Sequence, residues 1–223
     1  VRAASSEEET GEELYTCQGA SVLEALSSLS LSTGREPFYS HNYLVVFGRS
    51  CGEEGQDKSM DFFIRYYNTR PAVQMYLAED TAEEILSAKR DDQFVPIQEL
   101  QNLGKSGKYN GKAVSVDFLE FVNGASRPGS SPVLPVLGIK QDRVELLGTA
   151  YFQKYQLAGF LTLDQTRGYL ATKGTLKSGE LVVQGEDFGT VTLTVSKGSG
   201  KREVDFQGDV PIFRTVYQVT ADV

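Results

Sequence analysis

Apolar residues change their spacing along this chain, from helical intervals interrupted by short apolar runs to strict alternation, and the fold has to bury both patterns. Val22, Leu23, Leu26 and Leu29 recur at helical spacing. Ser21 predicts the N-cap of that helix, Glu24 stands at the capping-box position, and Gly34 suits its stop. Residues 43–47 form an aromatic and β-branched run closed by Gly48, which predicts a buried strand. Met60, Phe63, Ile64 and Tyr67 mark a second helix face, with Asp61 and Arg65 one turn apart and Pro71 barring continuation. Residues 72–78 set Val73, Met75 and Leu77 against Gln74 and Tyr76, the alternation of a half-exposed strand. A short helix over 81–88 follows, with Asp80 as its expected cap. Helix, strand, helix, strand, helix is the order of a mixed α/β arrangement.

Residues 96–103 predict one more short helix, and 105–112 a polar loop. Val114, Phe118, Leu119 and Val122 carry helical spacing, and the Gly-, Pro- and Ser-rich stretch 123–132 closes this first unit. Residues 133–139 and 143–152 predict a strand pair, and 162–172 a helix with Asp164 in its first turn and Gly174 at its stop. From Glu180 onward strand follows strand. Residues 190–195 alternate, and 197–201, a Gly/Ser/Lys segment, read as a hairpin turn. The expected fold class is therefore α+β and multi-domain. It has an N-terminal mixed α/β domain over 1–132, a small strand-pair-plus-helix domain over 133–175, and a β-rich antiparallel domain over 176–223. That last domain is expected to be incomplete, and the chain truncated at both ends.

With 223 residues, 40% of them hydrophobic, the chain can build real cores, which excludes global disorder. A formal charge of −8 argues against nucleic acid as a partner, because phosphate binding rests on clustered Lys and Arg. The same charge fits poorly with electrostatic docking on an anionic membrane. No apolar run approaches the ~20 residues that span a bilayer. Residues 1–13 show neither a signal-peptide core nor an initiator Met, so the expectation is a processed or trimmed product, soluble as given. Cys17 and Cys51 are too few for a disulfide scaffold, and pairing and separate thiols both stay open.

Chemistry-bearing residues are sparse. One histidine, His41, sits at the entrance to a predicted strand, and neither cysteine has protease-like neighbours, so no catalytic residue is expected. One His, two scattered Cys and solvated acidic runs do not make a metal site, and no cofactor is expected either. The Gly/Lys segment 104–112 fails the spacing of a phosphate-binding loop and follows a helix where such a loop follows a strand. Asp61, Arg65 and Arg70 flank the aromatic pairs Phe62-Phe63 and Tyr66-Tyr67, and read either as surface pairing over core aromatics or as a partner-facing patch.

Several blocks occur in an order that resembles a known family. They are Gly19-Ala20-Ser21-Val22-Leu23-Glu24-Ala25-Leu26, then Phe38-Tyr39-Ser40-His41, Leu44-Val45-Val46-Phe47-Gly48, and Asp61-Phe62-Phe63-Ile64-Arg65 with Thr69-Arg70. Ala82-Glu83-Glu84-Ile85-Leu86, Leu134-Pro135-Val136, Gly148-Thr149-Ala150-Tyr151-Phe152 and Leu157-Ala158-Gly159-Phe160-Leu161 follow, with Asp164 and Thr166 after them. This ordered set resembles the Ger(x)C family, the C subunits of GerA-type spore germinant receptors, over residues 14–175 and more loosely beyond. The resemblance implies a lipoprotein on the outer face of the spore inner membrane, working beside membrane-embedded A and B subunits in nutrient-triggered germination. The family's lipid-bearing cysteine is not matched, since Cys17 lies beyond its place, so the chain reads as a fragment or a shortened member that meets the membrane only through an anchor it lacks. His41, Asp61, Arg65 and Arg70 fall in matched blocks and are the candidate interface or structural residues.

Two other functions compete with a contact-making subunit. A thiol-dependent hydrolase would need Cys17 or Cys51 within hydrogen-bond reach of His41. A direct binder of a small nutrient would need an enclosed pocket of roughly 300 Å³ or more.

Overall fold

The computed structural model describes residues 2–4, 12–35, 42–65, 72–187 and 189–222. Strands β1 (Arg2–Ala4) and β2 (Glu12–Leu14) pair antiparallel, and helix α1 (Val22–Thr33) follows. Its ends are those the sequence predicts. Ser21 Oγ accepts from the Glu24 amide at 3.2 Å, Glu24 reaches back to the Ala20 amide at 2.7 Å, and Gly34 closes the helix in the left-handed region at φ 63°.

The body of the protein is a five-stranded mixed sheet. Strand β3 (Leu44–Phe47) leads into α2 (Arg49–Glu54) and α3 (Asp57–Arg65), then β4 (Gln74–Ala78) and α4 (Ala82–Ser87). The small hairpin β5 (Lys89–Arg90) and β6 (Gln93–Phe94) precedes α5 (Ile97–Lys105), the short α6 (Gly107–Asn110) and α7 (Phe118–Ser126). Strands β7 (Val133–Lys140), β8 (Arg143–Gln153) and β9 (Gln156–Thr162) then complete a sheet of order β3-β4-β7-β8-β9. Strands β3, β4 and β7 pair parallel, and β8 pairs antiparallel with both β7 and β9, so β4 and β7, on either side of residue 132, are neighbours in one sheet and share its core.

Helices cover both faces of β4. Met75 and Leu77 enter one cluster with Phe47, Met60, Phe118, Phe121 and Phe152, while Tyr76 and Ala78 enter another with Ile85, Val95, Leu100 and Leu137. The half-exposed strand expected over 72–78 is thus corrected: Tyr76 is apolar enough to be buried behind α5, where its hydroxyl donates to the Gln101 carbonyl at 3.1 Å. A central strand covered on both sides has no polar face to display.

Other local readings change as well. Thr81, not Asp80, caps α4, its hydroxyl accepting from the Glu84 amide at 3.2 Å. Residues 107–110 of the expected loop close a helical turn, α6. Helical structure begins only at Phe118, because Asp117 caps α7 and residues 114–116 run extended beside β4, the Met75 amide donating to the Val116 carbonyl. Residues 156–162, given no element from sequence, form the edge strand β9.

Helix α8 (Leu163–Lys173) carries the chain out of this sheet, started by a full capping box between Thr162 and Gln165. Its one buried side chain, Thr166, donates to the equally buried Thr149 of β8 at 3.0 Å. Beyond it β10 (Glu180–Gly185), β11 (Gly189–Gln207) and β12 (Val210–Asp222) form a separate antiparallel sheet. The hairpin turn expected over 197–201 is overturned: those residues lie inside β11, and the turn falls at Gly208–Asp209. Gly198 and Gly200 serve a close approach instead. A Cβ on Gly198 would sit 2.5 Å from the Leu176 carbonyl oxygen, and one on Gly200 3.0 Å from Gly174 Cα, so the end of α8 packs against the strand only where side chains are missing. Among the described residues, no helix is long and apolar enough to cross a membrane.

Candidate functional site

Of the four residues singled out from sequence, the structure describes two; His41 and Arg70 lie outside the described residues. Asp61 and Arg65 pair as their spacing predicts, Arg65 Nε donating to Asp61 Oδ1 at 2.6 Å on the exposed side of α3. That ion pair raises the Arg65 pKa further, the hydrogen bond contributing most. Phe63, on the inner side, meets Phe118 at 5.8 Å and Phe47 at 6.5 Å between ring centroids, while Ile64 stays more than half exposed. So α3 is anchored by its aromatics and presents an ion pair and an aliphatic side chain to solvent.

A second feature is a shallow hollow of about 200 Å³ bounded by Arg49, Glu79, Leu147, Gly148 and Phe160. Its floor is a β-bulge. The β7–β8 register slips between Val136 and Leu137, leaving Leu147 unopposed, and Gly148 takes φ 151° where a Cβ would run into the Leu161 carbonyl. Arg49 lies over the Phe160 ring at 5.3 Å and donates from Nε to Glu53 at 2.8 Å. The volume falls short of the roughly 300 Å³ at which small-molecule pockets begin.

Cys51 lies half-buried in α2 with its sulfur 3.8 Å from Ser59 Oγ. Burial pushes its thiol pKa up, the reverse of what a nucleophilic cysteine needs. Among the described residues, no group of three His, Cys, Asp or Glu side chains converges as a metal site would require.

The surface that the sequence reading missed is the far half of the β11–β12 ribbon. There β10 no longer accompanies β11, and Val204 opposes Phe213 as Phe206 opposes Pro211. Cross-strand partners point to one face, so these four form an apolar patch. Val204, Phe206 and Phe213 are 54%, 64% and 74% exposed. The signal was present as alternation, but it could be paired only once the turn was placed at Gly208.

Comparison with known proteins gives two matches in succession. Residues 2–139 match the family described as spore germination protein N-terminal domain, and residues 147–223 match spore germination B3/GerAC like, C-terminal. This chain belongs to the Ger(x)C family. A solved structure, the crystal structure of the GerBC protein, shares the fold with a TM-score of 0.56 at 18% identity. The match covers 89% of this Ger(x)C chain and 59% of the GerBC chain, so the sequence spans well under two thirds of that relative's length. No curated protein matches. The α+β class and the placement in a spore germination family stand on these findings.

Proposed function

We propose that this chain is the accessory C subunit of a nutrient germinant receptor and acts by protein–protein contact with the membrane-embedded A and B subunits, without turnover of a substrate. The observation that carries the reading is the pair of family matches spanning nearly the whole chain. Three features support it. The apolar patch on the β11–β12 ribbon holds large side chains in water on a paired backbone, which is the chemistry of a contact surface. Residues 197–222 carry four basic and four acidic side chains, so this ribbon meets another protein without the −8 charge of the whole chain opposing it. The Cys51 thiol and the shallow hollow are both poorly suited to the hydrolase and nutrient-binding alternatives.

In this reading the β-rich stretch 176–223 is the contact unit, carried on the body built by 1–132 and 133–175. His41, Asp61, Arg65 and Arg70 are further partner-facing candidates. The location that goes with it is the outer face of the spore inner membrane, reached through the family's lipid anchor. The test is co-purification with A and B subunits from detergent-solubilised membranes, comparing the parent chain with Phe206→Lys/Phe213→Lys. The parent is expected to co-purify and the double variant to be lost from the complex while keeping its circular dichroism. A receptor that assembles and signals equally well without this chain rules the proposal out.

A further inference from the structure

We infer that helix α2, up to the corner at Gln56 where α3 begins, is a built-in weak point beside the main sheet, which lifts away as a local unit and exposes the half-buried Cys51 thiol fully as it does so. The corner turns at Gln56. That residue is fully buried, and among the described residues neither its side-chain Nε2 nor its Oε1 has a hydrogen-bond partner. Its surroundings explain why. A Cβ built on Gly52 would meet Leu77 Cδ1 at 3.2 Å, Leu157 Cβ at 3.6 Å and Gln56 Nε2 at 3.7 Å, so the amide shares an apolar pocket with two leucines.

Burying an amide with nothing to bond is unfavourable, and any motion that returns it to water removes that penalty. Met60 and Phe63 anchor α3 in the main core, whereas α2 is held to the sheet by a few discrete ties. The Gln56 backbone N–H donates to the Tyr155 carbonyl at 3.0 Å, Gln156 Nε2 donates to the Glu53 carbonyl at 3.1 Å, and the Arg49 backbone N–H donates to the Asp80 carbonyl at 2.9 Å. All three lie at the ends of α2, and each has water as a ready substitute once the helix lifts. The opening free energy of α2 is therefore lower than that of the sheet beneath it. Cys51 reports the motion, because Ser59 of α3 faces its sulfur across the corner and the closed form half-covers the thiol and disfavours its thiolate.

The chain has two cysteines, so Cys17→Ser leaves Cys51 as the single thiol. The experiment measures labelling of Cys51 by a thiol-specific reagent in that background, across low denaturant concentrations, with and without Gln56→Leu. Leucine fills the same space without the orphaned amide. The expected result is labelling insensitive to low denaturant in the parent, and slowed by a factor of roughly ten in the Gln56→Leu variant. Labelling that is equally fast or faster in the variant, or that follows global unfolding, overturns the inference. So does failure of the variant to fold, which would mean that the amide is satisfied by an internal water. Hydrogen exchange on the parent is an independent check. The Arg49 amide, which donates to the Asp80 carbonyl at 2.9 Å, is expected to exchange faster than the β4 amides, and equal protection refutes local opening.

Discussion

Strand β4 and the β11–β12 ribbon are built from similar residues and end in opposite environments. Met75, Tyr76, Leu77 and Ala78 are 1% exposed or less, whereas Val204, Phe206 and Phe213 of the ribbon are mostly in water. Alternation along the backbone does not separate them. What separates them is the number of layers stacked above each face. The clusters around β4 draw on α3 and α7 on one side and on α4 and α5 on the other, while α8 reaches only the root of the ribbon near Gly198 and Gly200. A strand becomes core when helices cover both of its faces, and a contact surface when they stop short.

The comparison breaks most easily at the covered end. Phe121 is fully buried and meets Phe152 edge-on at 5.2 Å, so Phe121→Ala is expected to lower stability by about 3–5 kcal/mol in chemical denaturation. A loss below about 1 kcal/mol would detach α7 from the main core.

Alkaline pH sharpens the same contrast. Burial pushes the Tyr76 phenol pKa up to about 12 from its ordinary 10, so the folded state keeps its proton after the unfolded chain has released it. Stability from this group is complete below pH 10 and is lost as pH rises towards 12. The loss is on the order of 2 kcal/mol. In Tyr76→Phe the decline in stability across that window should be shallower than in the parent, and parallel curves would mean that the phenol is not shifted.

The smallest effect belongs to the ribbon. Phe213→Lys is expected to change stability by no more than about 0.5 kcal/mol, because that side chain is largely exposed. A loss above about 1 kcal/mol would mean that the exposed face is packed in solution, and the contrast with β4 would collapse.

Much of the chain was legible locally. Ser21, Glu24 and Gly34 bounded α1, the spacing of Asp61 and Arg65 foretold their pair, and Gly174 marked the end of α8. Each of these depends on groups within one helical turn or at one helix end, which the sequence places next to each other. The misreadings share the opposite property. Gly198 and Gly200 looked like a turn because their reason, the approach of residues 174–176, lies more than twenty positions away. Val114 joined a helix on spacing alone because the partner that straightens its stretch is β4. Of the contact surface, the alternating residues could be read, but their exposure could not.

By itself the sequence determined the ends of α1 and the stop of α8, the strand-rich tail and the α+β class, because periodicity and caps act over a few residues. Tertiary structure alone decided that β4 is sealed on both faces, that β7 continues the sheet begun by β3 and β4, and that the ribbon stands open. Burial depends on which distant elements meet, and spacing along the chain carries no record of that.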